Sequence, residues 1–147
     1  MLKKTLYTLL VSTIGLMALE TGETIPQNIQ EQLKLENDKI YVVDFFASWC
    51  KSCKKELPLV EKVYQDKSAE IIGINVDKNR EDGEKMVSDL ALSFPIVYDT
   101  DKTLVETFNP LGFPALYYVK NGKILNIIFG AVDEIDKKID ADMKVLK

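Results

Sequence analysis

The chain has 147 residues, 46% of them apolar and 29% charged, with a net charge of −4 at pH 7. That length and balance suit one globular domain, and the acidic balance argues against nucleic acid, whose binders carry a basic face. The chain has no histidine and two cysteines, which excludes Ser-His and Cys-His nucleophile pairs, a histidine general base, His-ligated metals, a four-thiolate zinc site and a multi-bridge disulfide scaffold.

Lys3 and Lys4 precede an apolar stretch from Leu6 to Leu19. A short basic region followed by about 7–15 apolar residues is the pattern of an export signal. The stretch is shorter than the roughly 20 residues a spanning helix needs. Residues 1–20 are therefore expected to be a signal peptide or an N-terminal membrane anchor, and residues 21–147 the folded domain. Cutting after Ala18 would put Leu16 where a small residue is preferred, so cleavage and anchoring both stand, beside the alternative of a buried N-terminal helix. Export would place both cysteines where disulfides form and persist.

Thr21 to Pro26 is polar and reads as a linker, and Asn28 to Leu35 as a short helix. Ile40 to Phe46 (IYVVDFF) is β-branched and aromatic, with the near-continuous apolar character of a central strand buried on both faces. A helix is expected from Cys50 to Gln65, with Leu57, Val60 and Tyr64 on one face. Ile71 to Val76 is a second buried strand, Arg80 to Leu90 a helix, Phe94 to Tyr98 a strand and Thr103 to Phe108 a helix. Ala115 to Val119 and Lys123 to Phe129 form a hairpin around Asn121-Gly122, a strong turn signal. The last helix runs from Asp133 to Leu146. Strands alternating with helices imply parallel βαβ units, and the hairpin adds an antiparallel edge. The expected fold is a three-layer α/β sandwich with a mixed sheet.

The two cysteines are three apart, in Trp49-Cys50-Lys51-Ser52-Cys53, where a buried strand gives way to a helix. The first turn of a helix has free N–H groups and a partial positive charge, so a thiolate there is stabilised. Lys51, Lys54 and Lys55 add positive charge. A thiol pKa lowered from about 8.5 makes a nucleophile at neutral pH. Cys50 is expected to be the more exposed, attacking sulfur, and Cys53 the resolving thiol. The competing readings are a zinc half-site, which needs two more ligands, and a structural disulfide, whose loop is too short to constrain the unfolded chain much. Haem attachment is excluded, because Lys54 stands where a histidine is needed. Asp44 lies inside an apolar strand, where a carboxylate is expensive to bury and has a raised pKa. Its alternative reading is a structural carboxylate bonded to backbone, and that of Glu56 a solvated helix position. Trp49 is expected to pack beside the disulfide.

The stretch Val42 to Cys53 (VVDFFASWCKSC) resembles the active-site segment of the thioredoxin superfamily. Cys53-Lys54-Lys55-Glu56-Leu57-Pro58 resembles more specifically the TlpA/ResA-like branch of extracytoplasmic thiol-disulfide oxidoreductases. Ile72 to Asp77, Phe94 to Asp99, Gly112-Phe113-Pro114 and Asn121-Gly122-Lys123 match in order, so the resemblance covers about Lys39 to Gly130. Cys53 and Pro114 are 61 positions apart, room for the helix and strand this branch inserts.

The resemblance implies a thioredoxin-like fold with a redox-active Cys50-Cys53 disulfide and no bound cofactor or metal. It implies that Pro114 is the family's cis-proline, with the backbone of Phe113 pairing with a bound peptide beside Trp49. Ala115 replaces the usual Thr after it. Asp44 corresponds to the buried proton acceptor of thioredoxins, in a branch where that position is often not acidic. The lysine that thioredoxins place near it falls on Gly73 and is missing. Glu56 corresponds to the branch's acidic residue that tunes the thiols, the Lys51-Ser52 pair to the redox-tuning dipeptide, and Pro58 to a kink in the active-site helix. The implied function is reduction of exported protein disulfides, including apocytochrome c in cytochrome c maturation. The implied partners are disulfide-bearing protein substrates and a membrane thiol-disulfide electron donor, with the chain a periplasmic or membrane-face monomer. The alternatives are a general oxidant or reductase of other periplasmic proteins, or a metal-binding chaperone. A DsbA-type oxidant usually has His in the dipeptide and a helical insertion, a peroxiredoxin has Thr where Ala47 stands, and copper-binding relatives use a distant His.

Overall fold

The computed structural model describes residues 17–147. The expected signal or anchor lies, up to residue 16, outside the described residues. The elements in chain order are α1 (Gln27–Gln32), β1 (Ile40–Phe46), α2 (Lys51–Gln65), β2 (Glu70–Asn75), α3 (Arg80–Asp89), β3 (Ile96–Tyr98), α4 (Thr103–Phe108), β4 (Ala115–Lys120), β5 (Lys123–Phe129) and α5 (Ile135–Leu146).

The five strands form one sheet in the order β3-β2-β1-β4-β5. β1 pairs parallel with β2 and antiparallel with β4, β2 pairs parallel with β3, and β4 antiparallel with β5. This is the expected mixed sheet, with β1 at its centre and every residue of β1 buried. The inserted helix and strand are α3 and β3, and β3 forms one edge of the sheet. Asn121 (φ 51°) and Gly122 (φ 71°) both have the positive φ that a type I′ hairpin turn requires.

Strand alternation divides the core into two. Val42 and Phe46 face a layer with Leu57 and Val60 of α2 and Ile135, Ile139 and Met143 of α5. Tyr41, Val43 and Phe45 face Ile29 of α1 and Leu104 and Phe108 of α4. Each fully buried aliphatic side chain contributes about 1.5–3 kcal/mol, so the helical stripes read from the sequence hold these layers to the sheet. Asp44, between Val43 and Phe45, therefore points to the α2 side.

Three boundaries differ from expectation by two residues or more. α1 stops at Gln32 because Lys34 turns left-handed (φ 54°) and the Leu35 N–H bonds back to the Gln30 carbonyl at 3.0 Å. β3 starts at Ile96, after Pro95, which accepts from the Gly73 N–H at 2.8 Å but has no N–H of its own to give. α5 starts two residues late, after a left-handed Glu134 (φ 54°).

Candidate active site

β1 delivers the chain to the site and α2 carries it away. Between them Ala47 to Cys50 forms a turn, with the Cys50 N–H bonded to the Ala47 carbonyl at 3.1 Å. Cys50 caps the N-terminus of α2. Cys50 and Cys53 are joined in a disulfide with Cα atoms 5.3 Å apart. The Cys53 N–H donates to Cys50 Sγ at 3.2 Å, so a free N–H of the first helical turn already points at the sulfur that would carry negative charge on reduction. Ser52 Oγ lies 3.5 Å from the same sulfur. Lys51, Lys54 and Lys55 are exposed. Cys50 keeps 6% of its surface accessible and Cys53 none, so an incoming sulfur meets Cys50 first.

Two aromatic rings meet at the residue that precedes Cys50 in the chain. Trp49 is 63% exposed, and its ring meets that of Phe113 edge-on with centroids 5.6 Å apart. The Phe113-Pro114 peptide bond is cis, and the Pro114 carbonyl is tied to β5 by the Gly130 N–H at 2.9 Å.

Two carboxylates lie between β1 and α2. Asp44 and Glu56 are buried, with Asp44 Oδ1 and Glu56 Oε1 lacking any hydrogen-bond partner among the described residues. Burial pushes the Asp44 carboxyl well above the usual range, and the charge of Glu56 pushes it further. Burial also raises the Glu56 carboxyl, to about 7, against the pull of a hydrogen bond from the Val132 N–H to Oε2 at 3.1 Å. Glu56 is thus not a solvated helix position. It shares the apolar stripe of α2 with Cys53, Leu57 and Val60. Asp44 pairs in register with Gly73, the position where the lysine is missing. A Cβ on Gly73 would stand 2.7 Å from Ile96 Cδ1, 2.8 Å from Phe94 and 3.0 Å from Phe46. Those side chains fill the space a cation would need. Pro58 sits inside α2, which continues past it to Gln65.

One part of the site has no role in the sequence reading. Asp77 and Asn75, both buried, receive the turn before Cys50 through Ser48. The signal was present in Asn75-Val76-Asp77, two polar side chains where a buried strand ends, but nothing in the order of residues points to Ser48.

A sequence model described as thioredoxin-like matches residues 37–124. The chain belongs to the thioredoxin-like family. Among the relatives of this thioredoxin-like protein is the thiol-disulfide oxidoreductase ResA of Geobacillus thermodenitrificans (strain NG80-2). It is 27% identical over 82% of this chain and 76% of the relative. Its fold is also that of a putative thiol:disulfide interchange protein DsbE from Chlorobium tepidum. That likeness has a TM-score of 0.72 at 18% identity, covering 87% of this chain and 98% of the other. StoA from Bacillus subtilis has a TM-score of 0.64 at 23% identity, covering 72% and 84%. With its CxxC disulfide, this thioredoxin-like protein is a thiol-disulfide oxidoreductase of the ResA type.

Proposed function

We propose that the chain is an extracytoplasmic reductant of disulfides in exported proteins, with apocytochrome c among its substrates, and that a membrane thiol-disulfide donor keeps it reduced. The observation that carries the reading is the pairing of one accessible sulfur with two buried, proton-holding carboxylates. Lys3, Lys4 and the apolar run from Leu6 to Leu19 support export, the ResA relatives support thiol-disulfide chemistry, and the resemblance of Cys53 to Pro58 to the TlpA/ResA-like branch supports the reductive direction. Among the described residues no helix is long and apolar enough to cross a membrane, so an anchor would be the N-terminal run.

In the reduced protein the Cys50 thiolate attacks one sulfur of the substrate disulfide. A mixed disulfide forms and the other substrate sulfur leaves as a thiolate. The Cys53 thiol then gives its proton to the Asp44–Glu56 pair and attacks Cys50 Sγ. The substrate's second sulfur leaves and takes up a proton. Two electrons have passed to the substrate, and the protein holds the Cys50-Cys53 disulfide seen here. A donor dithiol reverses the last state. Carboxylates carry the proton because the chain has no histidine. Trp49, Phe113 and Pro114 form the surface against which the substrate segment lies, and Lys51 and Ser52 set the affinity of Cys50 for its electron pair.

Replacing the resolving thiol tests this. Cys53→Ala in cells is expected to trap mixed disulfides through Cys50, identified by mass spectrometry of the captured partners. Recovery of apocytochromes supports the maturation role, and diverse exported proteins point to a general reductase. Cytoplasmic partners alone, or no covalent partner, would sink the reading.

A further inference from the structure

We propose that Asp77 is a positioning residue for Cys50. Its buried carboxylate clamps the turn before the cysteine, and the inserted helix α3 holds that clamp in place. The proposal rests on the reading of Cys50 as the attacking thiol.

The turn from Ala47 to Cys50 fixes where Cys50 Sγ points, and it carries an exposed tryptophan that packing does not anchor on all sides. Its first central residue, Ser48, is tied twice to one side chain. The Ser48 N–H donates to Asp77 Oδ2 at 2.9 Å and the Ser48 hydroxyl to Asp77 Oδ1 at 2.7 Å. Two bonds to the two oxygens of one planar carboxylate fix orientation as well as distance, and bonds to an ionised acceptor are about twice as strong as neutral ones. Asn75 Nδ2 supplies a third donor to Oδ2 at 2.7 Å, and Asn75 Oδ1 accepts the Asp77 N–H at 3.2 Å. Asp77 is 3% exposed and Asn75 1%. None of the ion pairs among the described residues includes Asp77. A buried carboxylate held only by neutral donors gains from geometry, so displacing any donor is costly.

The clamp is pressed from behind by α3. A Cβ on Gly83 would lie 2.2 Å from Asn75 Oδ1 and 2.6 Å from its Cγ. The helix backbone therefore touches the amide that orients Asp77, and only glycine permits the approach. Ser48 and Lys54 also line, with Met86 of α3 and Leu90 at its C-terminal end, one hollow of about 370 Å³. The insertion thus borders the turn that precedes the disulfide and is joined to it through Gly83, Asn75, Asp77 and Ser48 in sequence. Asp77→Asn removes the charge from the clamp, and with its amide oxygen in place of Oδ2 its N–H₂ faces the Ser48 hydroxyl, which must turn from donor to acceptor. Ser48→Ala removes one bond and keeps the backbone one.

The test measures the rate of Cys50 alkylation by iodoacetamide in the full-length reduced protein across pH, with the midpoint potential and the unfolding free energy beside it. Asp77→Asn is expected to slow alkylation at neutral pH about tenfold and to displace the pH profile. Ser48→Ala should slow it about threefold, and Ser48→Thr, which keeps both donors, should restore most of the rate. Because Asp77 acts through Ser48, the double variant should be no slower than Asp77→Asn alone. Gly83→Ala, which displaces Asn75, should move the rate in the same direction. It carries the test with Ser48→Ala if Asp77→Asn does not fold. Loss of stability with wild-type rate, profile and potential would overturn the proposal, and so would independent effects that multiply in the double variant. A wild-type Cys50 that does not alkylate at neutral pH overturns the assignment of the attacking thiol as well, whereas equal rates in wild type and variants overturn the clamp alone.

Discussion

The carboxylates on the two sides of the disulfide loop are opposites. Asp77 has a neutral donor on each oxygen, three in all. Asp44 and Glu56 are as deeply buried, yet each leaves an oxygen without a partner. A carboxylate with donors on both oxygens fixes the orientation of whatever donates to it. A buried carboxylate with an oxygen to spare is penalised for its charge, so burial raises both carboxyls, and Glu56, raised to about 7, takes and gives up a proton within the neutral range. Burial alone therefore does not distinguish a group that holds geometry from one that moves protons. Whether each oxygen has a donor does.

The contrast breaks first at Asp44. Asp44→Asn keeps the shape and removes the proton acceptor, so resolution of the mixed disulfide by Cys53 is expected to slow by about a thousandfold, with the first attack by Cys50 unchanged. Rapid-quench lifetimes of a mixed disulfide measure this. Wild-type lifetimes would show that Asp44 moves no proton.

Glu56 sharpens the contrast through stability. Its carboxyl rises from 4.5 to about 7 on folding. The folded state binds that proton more tightly, so the contribution to stability is complete below about pH 4.5 and is lost as pH rises through about 7. The loss amounts to roughly 3 kcal/mol. Glu56→Gln keeps an acceptor for the Val132 N–H and removes the charge, so it should raise stability at pH 8 by up to that amount. It should also flatten the slope between pH 4.5 and 7. Urea denaturation at several pH values reads both, and an unchanged slope would remove Glu56 from the proton-holding pair.

The smallest effect is expected at Gly73, the register partner of Asp44. Gly73→Ala forces a methyl among Phe46, Phe94 and Ile96 and should cost about 1–3 kcal/mol in equilibrium unfolding. A neutral result would mean that these side chains yield and that a cation near Asp44 is sterically tolerable.

Much of this was legible in the residues. The run IYVVDFF reads as a central strand because nearly every side chain is apolar, and the one that is not, Asp44, thereby declares itself. Cys50 and Cys53 are visible as chemistry because they stand where a strand becomes a helix. Glu56 was half legible. It is acidic, but it occupies the same helical face as Cys53, Leu57 and Val60, and that spacing is the sign of its burial. The boundaries of α1 and β3 were hidden in single backbone states, a left-handed Lys34 and a proline without an N–H. Ser48 and Asp77 were not legible, because they lie 29 positions apart and become neighbours only where two parallel strands end side by side.

The sheet's connectivity also sets the order of events in time. β1 pairs with β4, and Asp44 stands opposite Leu116, 72 positions later. A chain made from its N-terminus exposes both cysteines well before β4 exists to shelter them. Contacts so distant in sequence close slowly. During synthesis the two sulfurs are thus equally open, and the difference between an accessible Cys50 and a buried Cys53 begins only once the sheet is complete.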